Sequence, residues 1–338
     1  MKIIIAIAIV LFLCALAADA AEVTPATRPA LADCKLSGPY THGNLTVFLI
    51  HGPDRLKNRE FLTLGEAMEK KVVVVHETSN VNELAIENVG STDVYVQSGD
   101  IVKGGKQDRT IAMDFIVPAR SGKLPIASFC VEHGRWQQRG EEDAGNFSYG
   151  VTLATRGTKL AVRSKQDQAE VWKEVAVAQM KLADSVGKPV AAPESKSSLQ
   201  LTLENKAVQE SSDQYIKALA GVVEGKNDVI GYAFAINGKV NSADIYANSG
   251  LFKKLWPKLI RASATEATSE KKEGKFEMAT EAGVFSCIEN AEKARPTTQP
   301  SGPRAAIVTR DGTESILFET RDKDEKDHYL HRNYINKK

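Results

Sequence analysis

The segment VIGYAFAINGKVNSADIYA, residues 229–247, constrains the fold more than any other stretch of the chain. Its residues alternate between two faces, as in a β-strand, on both sides of Asn237-Gly238. An Asn-Gly pair supplies the positive φ angles that a two-residue hairpin turn needs. The sequence therefore predicts a β-hairpin with one apolar face and one face of small residues, on which a helix can pack closely. The apolar face consists of Ile230, Tyr232, Phe234 and Ile236, and the small face of Gly231, Ala233 and Ala235.

The first part of the chain is rich in short strand candidates separated by turn residues. VVVVH (72–76) and ELAIE (83–87) are two such runs, and a cluster of Asn, Gly, Ser and Asp follows them. TIAMDFIVP (110–118) and LPIASFCVEHGRW (124–136) also alternate between apolar and polar positions. Strands at this spacing are typical of an antiparallel sandwich or a barrel-like sheet. We therefore expect residues 35–160 to form a strand-rich, sandwich-like half.

The next part of the chain mixes helices with the hairpin. DQAEVWKEVAVAQMKLAD (167–184) places Val171, Val175, Ala178 and Leu182 on one stripe at the helical period, which predicts an amphipathic helix. We expect this helix and the hairpin to form a second half over residues 161–290. The predicted fold class is α+β, with both halves packed into a single domain over residues 35–290.

Two segments near the C-terminus have the composition of connectors rather than of core elements. ARPTTQPSGPRAA (294–306) is rich in Pro, Ala and Thr, which is typical of a linker. Asp311-Gly312 predicts a second hairpin turn. The charged stretch DKDEKDHYLHRNYINKK that ends the chain has the composition of a solvated tail. Residues 307–338 are therefore expected to form a C-terminal hairpin and tail.

The N-terminus predicts export. Residues 1–20, MKIIIAIAIVLFLCALAADA, contain Lys2, then an apolar run, then the cleavage pattern Ala18-Asp19-Ala20 of a signal peptide. The apolar run is short for a spanning helix, so we expect no stable insertion into a membrane. Residues 21–34 include TPATRPA, a flexible tether. The mature protein is thus expected to be periplasmic or extracellular, after cleavage behind Ala20.

Charge and cysteine content limit the classes of partner and of scaffold. The formal net charge is +1, so the chain carries no broad basic surface for nucleic acid. Cys34, Cys130 and Cys287 remain after cleavage. Three cysteines in an oxidising compartment allow one disulfide and one thiol, or three thiols. A bridge between Cys34 and Cys287 would tie both ends of the domain together.

The loop QSGDIVKGGKQDR, residues 97–109, is the first candidate site. Gly104-Gly105 lets the backbone turn so that successive N–H groups converge on one point, as anion binding requires. Lys103 and Gln107 offer a charge and an amide donor, and Arg109 can grip a phosphate or carboxylate with two hydrogen bonds. The alternative is a hairpin loop with a glycine bulge, whose charges face water. The loop matches neither the Walker pattern nor the dinucleotide-binding fingerprint.

The strand end CVEHGRW, residues 130–136, is the second candidate. Arg135 and Trp136 can stack against and hydrogen-bond a base or a sugar. Glu132 can act as a general base if burial raises its pKa. The alternative is that Glu132 pairs with an arginine and Trp136 caps the core. No metal-ligand spacing and no nucleophile-elbow motif occurs, so we expect neither a metal site nor a cofactor.

The two candidates also carry a resemblance. QSGDIVKGGKQDRTIAMDFIVPA and ASFCVEHGRW are similar to segments of the ARG and Rhodanese-Phosphatase-superfamily-associated Protein domain family, and VRSKQDQAEVWKEV and INGKVNSADIYANSGLFKKLWPKLIRASATEA resemble later segments. The resemblance spans about residues 35–267. The family name records an association with ADP-ribosylglycohydrolase and rhodanese-type phosphatase domains. It implies, by association only, a ligand of the ADP-ribose or phosphorylated class, and no established reaction.

We therefore predict that the protein binds or processes a small anionic ligand where the 99–109 loop meets residues 130–136. The alternative is a non-catalytic envelope module that binds protein or glycan. In the first case Glu132 is the one acid–base candidate. The candidate ligand-binding residues are Asp100, Lys103, Gly104, Gly105, Gln107, Arg109, Arg135 and Trp136.

Overall fold

A computed structural model describes residues 31–272, 274–325 and 328–338. The predicted signal peptide (1–20) and the predicted tether up to residue 30 lie outside the described residues. The strands are β1 (Lys35–His42), β2 (Leu45–His51), β3 (Leu62–Thr63), β4 (Val73–Glu77), β5 (Glu83–Asn88), β6 (Val94–Val96), β7 (Asp100–Gly104), β8 (Arg109–Ile111), β9 (Phe115–Val117), β10 (Ser121–Cys130), β11 (Phe147–Leu153), β12 (Val229–Ile236), β13 (Lys239–Tyr246), β14 (Pro296–Ser301), β15 (Ala305–Asp311), β16 (Ser315–Asp322) and β17 (Tyr329–Asn336). The helices are α1 (Leu64–Glu69), α2 (Arg156–Leu160), α3 (Gln168–Val186), α4 (Leu199–Leu203), α5 (Lys206–Leu219), α6 (Ser249–Ser269) and α7 (Glu281–Glu292), with a π-helical turn at Ala161–Lys165 and a 3₁₀ turn at Ala220–Val223.

The larger sheet is antiparallel and has eight strands in the order β1-β2-β12-β13-β17-β16-β15-β14. The predicted hairpin at 229–247 is confirmed as β12 and β13, and Asn237 and Gly238 have φ angles of 51° and 80°. Tyr232 and Phe234 pack against α6 in one core, whereas Ala233 and Ala235 belong to a second core that includes α7. The small residues thus lie in the core to which α7 contributes, as predicted, but Ile230, which was expected on the apolar face, lies in that same second core, beside a register shift between β12 and β2.

The smaller sheet has six strands in the order β11-β7-β8-β10-β5-β4 and curls into a half-barrel. Its two edges approach each other at an isolated bridge between His76 and Asn146. The inner core takes side chains from all six strands and from α1. The predicted stripe of α3 packs against the outer face, where its Val171, Val175, Ala178 and Leu182 are buried with Ile101, Phe129 and Val131. A short third sheet, β3-β6-β9, contributes to the inner core.

The α+β class and the strand-rich, antiparallel character are confirmed. The two halves interlock, because β1 and β2 leave the first half and pair within the larger sheet next to β12. Among the described residues, no helix has the length and apolar composition needed to cross a bilayer.

Two predictions near the C-terminus are wrong. The expected linker at 294–306 contains β14, which pairs with β15 at the edge of the larger sheet. Proline is tolerated there because one side of an edge strand needs no ladder hydrogen bonds. The expected solvated tail contains β17, which lies between β13 and β16 and buries Leu330 and Tyr334. The hairpin turn at Asp311-Gly312 is confirmed between β15 and β16.

Candidate functional site

The two sequence candidates meet at one end of the six-stranded sheet. Strands β4, β7 and β10 end there, and β5, β8 and β11 begin there. Cys130 at the end of β10 is the cross-strand partner of Arg109 at the start of β8. Ile111 and Ile126 belong to the inner core, so alternation along each strand directs Arg109 and Cys130 to the same inner side. The site is therefore the end of the half-barrel interior.

The glycine loop holds an anion that belongs to the protein. Gly104 and Gly105 adopt φ angles of 111° and 54°, and the Gly104 N–H donates to Oδ1 of Asp108 at 3.0 Å. The carbonyl oxygens of both glycines accept hydrogen bonds from Arg135, at 3.1 and 3.0 Å. The next amide, of Lys106, donates to the carboxylate of Glu77. The N–H groups that were expected to bind an external anion are thus already occupied: those of Gly104 and Lys106 by the protein's own carboxylates, and that of Gly105 by the carbonyl oxygen of Asp143.

Glu132 is fully buried beneath this loop and is paired. Arg135 donates to its two carboxylate oxygens from Nε and Nη2, both at 2.7 Å, and the Asp108 N–H donates at 2.9 Å. Burial alone would raise the pKa of Glu132, but hydrogen bonds from Arg135, Ser195 and the Asp108 backbone outweigh it and lower the pKa. The raised pKa on which a general-base role depended is not found.

Arg139 completes the network and was missed from the sequence. Its Nη1 and Nη2 donate to the two oxygens of Asp108, each at 2.9 Å, and its Nε donates to Glu142 at 3.0 Å. Ser198, the N-cap of α4, also donates to Asp108, at 2.6 Å. Desolvation raises the pKa of Asp108 despite these partners. Asp108 lies in the candidate loop, but its pairing with Arg139 could not be seen in the sequence, because the two residues are 31 positions apart and meet only in the folded protein.

Three further candidates make structural contacts. Asp100 forms a buried ion pair with Lys258 of α6. Lys103 donates to Glu204 at 2.6 Å, behind α4. Gln107 is buried and donates its amide to the carbonyl oxygen of Glu132 at 2.9 Å. None of these three side chains is free to reach a ligand in this conformation.

Arg109 is the exception in the cluster. Its side chain is fully buried, and Nη1 contacts Oε1 of Gln107 and Sγ of Cys130. Its Nε and Nη2 have no hydrogen-bond partner, although Nη2 lies 3.7 Å from Oε1 of Glu77. Burial raises the pKa of Cys130 to about 11, so this thiol is not a nucleophile at neutral pH.

A cleft of about 870 Å³ opens beside the cluster, between residues 133–140 and 193–197. Trp136 lines this cleft and is 49 % exposed, and its ring centre lies 5.9 Å from the guanidinium carbon of Arg109. Trp136 therefore does not cap the core, as one reading of the sequence expected. Ser197 ties the two walls together, because it exchanges hydrogen bonds with the backbone of His133.

A second buried polar cluster joins the larger sheet to β6 and to the segment between β8 and β9. His331 lies between Asp114 and Asp244, with Nδ1 2.7 Å from Asp114 Oδ2 and Nε2 3.0 Å from Asp244 Oδ1. Tyr95 donates to Asp114 at 2.8 Å, and Arg163 donates to Asn333 at 3.0 Å. The side chains of Asp114, Asp244 and His331 are buried, so solvent does not reach this cluster. Over the described ranges, no group of three or more His, Cys, Asp or Glu side chains has the arrangement of a metal site.

Comparison with known proteins identifies the domain. A family model, described as the ARG and Rhodanese-Phosphatase-superfamily-associated Protein domain, matches residues 33–334. No curated protein and no solved structure shows significant similarity to the chain. The match extends past the resemblance at 35–267 and includes β14, β15, β16 and most of β17, in agreement with their places in the larger sheet. The chain belongs to the ARG and Rhodanese-Phosphatase-superfamily-associated Protein domain family.

Proposed function

We propose that the protein binds a small anionic ligand in the cleft between residues 133–140 and 193–197. One observation carries the proposal: Trp136 is half exposed in the cleft, and its ring centre lies 5.9 Å from the guanidinium carbon of the buried Arg109. The cleft volume of about 870 Å³ lies within the range of small-molecule sites. Lys196 adds a positive charge on the opposite wall. An aromatic ring next to cations suits a ligand with a flat or sugar ring and an anionic group.

ADP-ribose and sugar phosphates have this combination, which agrees with the association recorded in the family name. We propose binding rather than catalysis, because Glu132 is enclosed and held as a carboxylate by Arg135. Neutral glycans are the alternative ligands of a non-catalytic envelope module, since the exposed ring of Trp136 also suits a sugar face.

A thermal-shift screen tests the proposal. The panel contains ADP-ribose, nucleotides, sugar phosphates, phosphate and neutral glycans. A ligand at one hundred times its Kd adds about 2.7 kcal/mol of stability, which is a visible shift. Lys196→Glu should weaken the shift with anions. The matched control Lys188→Glu reverses an exposed charge outside the cleft and should leave the shift unchanged.

Each result of the screen has one meaning. A shift with anions that Lys196→Glu reduces and Lys188→Glu retains supports the proposal. A shift with glycans alone replaces it with the alternative. No shift with any anion, at concentrations up to the millimolar range, contradicts it.

We propose further that the protein is exported. Lys2, the apolar run behind it and Ala18-Asp19-Ala20 support cleavage after Ala20. The N-terminus of the protein recovered from the envelope or the medium should therefore begin at Ala21. Recovery of the protein with Met1 or Lys2 intact in the cytosolic fraction would contradict export.

A further inference from the structure

We infer that Arg109 is the anion receptor of this site, and that Trp136 is a cover that moves aside when a carboxylate or phosphate binds. The inference rests on the proposed function and specifies its ligand. It assigns the recognition of the anion to a residue that no solvent reaches in the present conformation.

Two donor atoms of Arg109 carry the argument. Nε and Nη2 are buried and have no hydrogen-bond partner. These two atoms lie on the same edge of the guanidinium group, so their N–H bonds point in nearly the same direction. That edge matches the two oxygens of a carboxylate or a phosphate. A buried donor without a partner is costly, and a ligand that pairs with both atoms removes that cost.

The neighbouring carboxylate does not fill this position. Oε1 of Glu77 lies 3.7 Å from Nη2 of Arg109, beyond hydrogen-bond distance. The oxygens of Glu77 accept instead from the backbone N–H groups of Ser79 at 3.0 Å and Lys106 at 3.3 Å. Glu77 therefore offsets part of the charge of Arg109 and leaves its hydrogen-bonding edge open. A ligand with two oxygens would supply the two hydrogen bonds that Glu77 does not make to Nε and Nη2 of Arg109.

Trp136 is the cleft residue that lies next to Arg109, with its ring centre 5.9 Å from the guanidinium carbon. Gly134, two positions before it, has a φ angle of 85°, and a Cβ added there would have no atom within 4 Å. The flanking anchors of Trp136 are Arg135 and Arg139, which are fixed in the buried network on either side. The side chain of Trp136 can therefore rotate into the cleft without breaking a strand or an ion pair. Trp136 both lines the cleft and lies next to Arg109, so this rotation would open a path from the cleft to Arg109.

The ligand class follows from these contacts. Its anionic group presents two oxygens to Nε and Nη2 of Arg109, and the rest of the molecule lies in the cleft. Carboxylates and phosphate esters share this chemistry. Inorganic phosphate and benzoate are the two probes that distinguish a phosphate ligand from a carboxylate ligand. Benzoate also carries a flat ring.

Calorimetric titration of both probes into four proteins tests the inference. The proteins are the wild type, Arg109→Lys, Trp136→Ala and the control Arg163→Lys. Arg163 is also buried with Nε and Nη2 unpartnered, but it lies over Phe318 away from the cleft. Arg109→Lys keeps the charge and loses the paired donors, so affinity should fall about tenfold or more. Trp136→Ala should bind the probes more tightly than the wild type, since no indole ring then has to move away from Arg109 before binding.

The outcomes are distinguishable. The inference is supported if the wild type and Arg163→Lys bind a probe with similar affinity and Arg109→Lys binds it about tenfold more weakly or not at all. Equal binding by Arg109→Lys and wild type places the anion on other cleft residues, which overturns the inference and leaves the proposed function standing. Absence of binding for both probes and for the whole ligand panel overturns both.

A second measurement needs no variant at position 109. Fluorine NMR of protein labelled with 5-fluorotryptophan resolves Trp136, Trp172 and Trp256, and Trp136→Phe assigns the first. Binding of the effective probe should shift the Trp136 resonance and leave the Trp256 resonance, which is buried in another core, in place. A bound probe that leaves the Trp136 resonance unmoved overturns the inference.

Discussion

Arg139 and Asp108 form a bidentate ion pair, in which each Nη atom of Arg139 lies 2.9 Å from a carboxylate oxygen of Asp108. Both side chains are buried. Asp108 is also the acceptor for the Gly104 N–H. The pair therefore fixes the glycine loop and fills the position at which the sequence predicted an external anion.

Arg139→Met should destabilise the protein by about 3–5 kcal/mol, because it leaves the carboxylate of Asp108 buried without its partner. Adding Asp108→Asn should recover part of the loss, since the uncompensated charge is then removed. Urea unfolding measures both variants. Lys188→Met, at an exposed position, is the control and should change stability little. A loss below about 1 kcal/mol for Arg139→Met would show that the network is not needed for stability.

The stability of the protein should fall as the pH rises from near neutral into the alkaline range. Burial opposes protonation of His331, but Asp114 and Asp244 outweigh it and raise its pKa. The stabilisation by protonated His331 is therefore complete below its unfolded pKa of about 6.5, and it is lost as the pH rises through the higher folded pKa. His331→Gln should flatten this fall in urea unfolding between pH 6 and 9, whereas a variant of the exposed His42 should retain it. Equal slopes for wild type and His331→Gln would contradict the assignment.

The same cluster should also weaken in acid. Burial opposes ionisation of Asp114, but His331, Arg163 and Thr320 outweigh it and hold its pKa well below the ordinary value. Its stabilising contribution is present above the unfolded pKa of about 3.9 and is lost as the pH falls below it. Asp114→Asn should therefore show a shallower acid limb than wild type in the same unfolding series. An unchanged acid limb would assign acid unfolding to other carboxylates.

All three cysteines of the described domain should be recovered as thiols. Cys34, Cys130 and Cys287 are unpaired, and burial raises the pKa of Cys130 and Cys287 to about 11. Iodoacetamide at pH 8 should therefore modify Cys130 and Cys287 only after unfolding, as read by peptide mass spectrometry. Mapping without reductant should find no peptide that joins Cys34 to Cys287. Detection of such a peptide would contradict this prediction and would support the Cys34–Cys287 disulfide that the sequence allowed.

Gly238→Ala should destabilise the central hairpin by about 1–3 kcal/mol. Gly238 has a φ of 80°, and an added Cβ would collide with the carbonyl oxygen of Glu277. The matched control is Gly122→Ala in β10, where no atom lies within 4 Å of an added Cβ. A thermal unfolding series compares the two. Similar midpoints for both variants would mean that the hairpin turn adjusts at no cost.

Elements with a strong local pattern were predictable from the sequence. The hairpin at 229–247 and the helix at 167–184 agree with the structure because alternation and helical periodicity report burial over a short stretch. The C-terminal errors have the opposite cause. The charges of DKDEKD dominate the composition of the last segment and conceal the alternation of β17, in which His331 and Asn333 are polar yet buried. Hydrogen bonds to Asp114 and Asp244 offset the cost of burying these two side chains. Because Asp114 and Asp244 are distant in sequence, no local pattern indicates this pairing.

The sequence pointed to the two segments that meet in the candidate site, because glycines, arginines and a tryptophan are visible as residue types. Which of those charges stay free was decided by the tertiary structure alone. Asp108, Glu132, Arg135 and Arg139 neutralise one another across loops that meet only after folding, whereas Nε and Nη2 of Arg109 are left without partners. The physical reason is that the free energy of a buried charge depends on the partners within a few ångströms of it, and those partners come from distant positions in the chain.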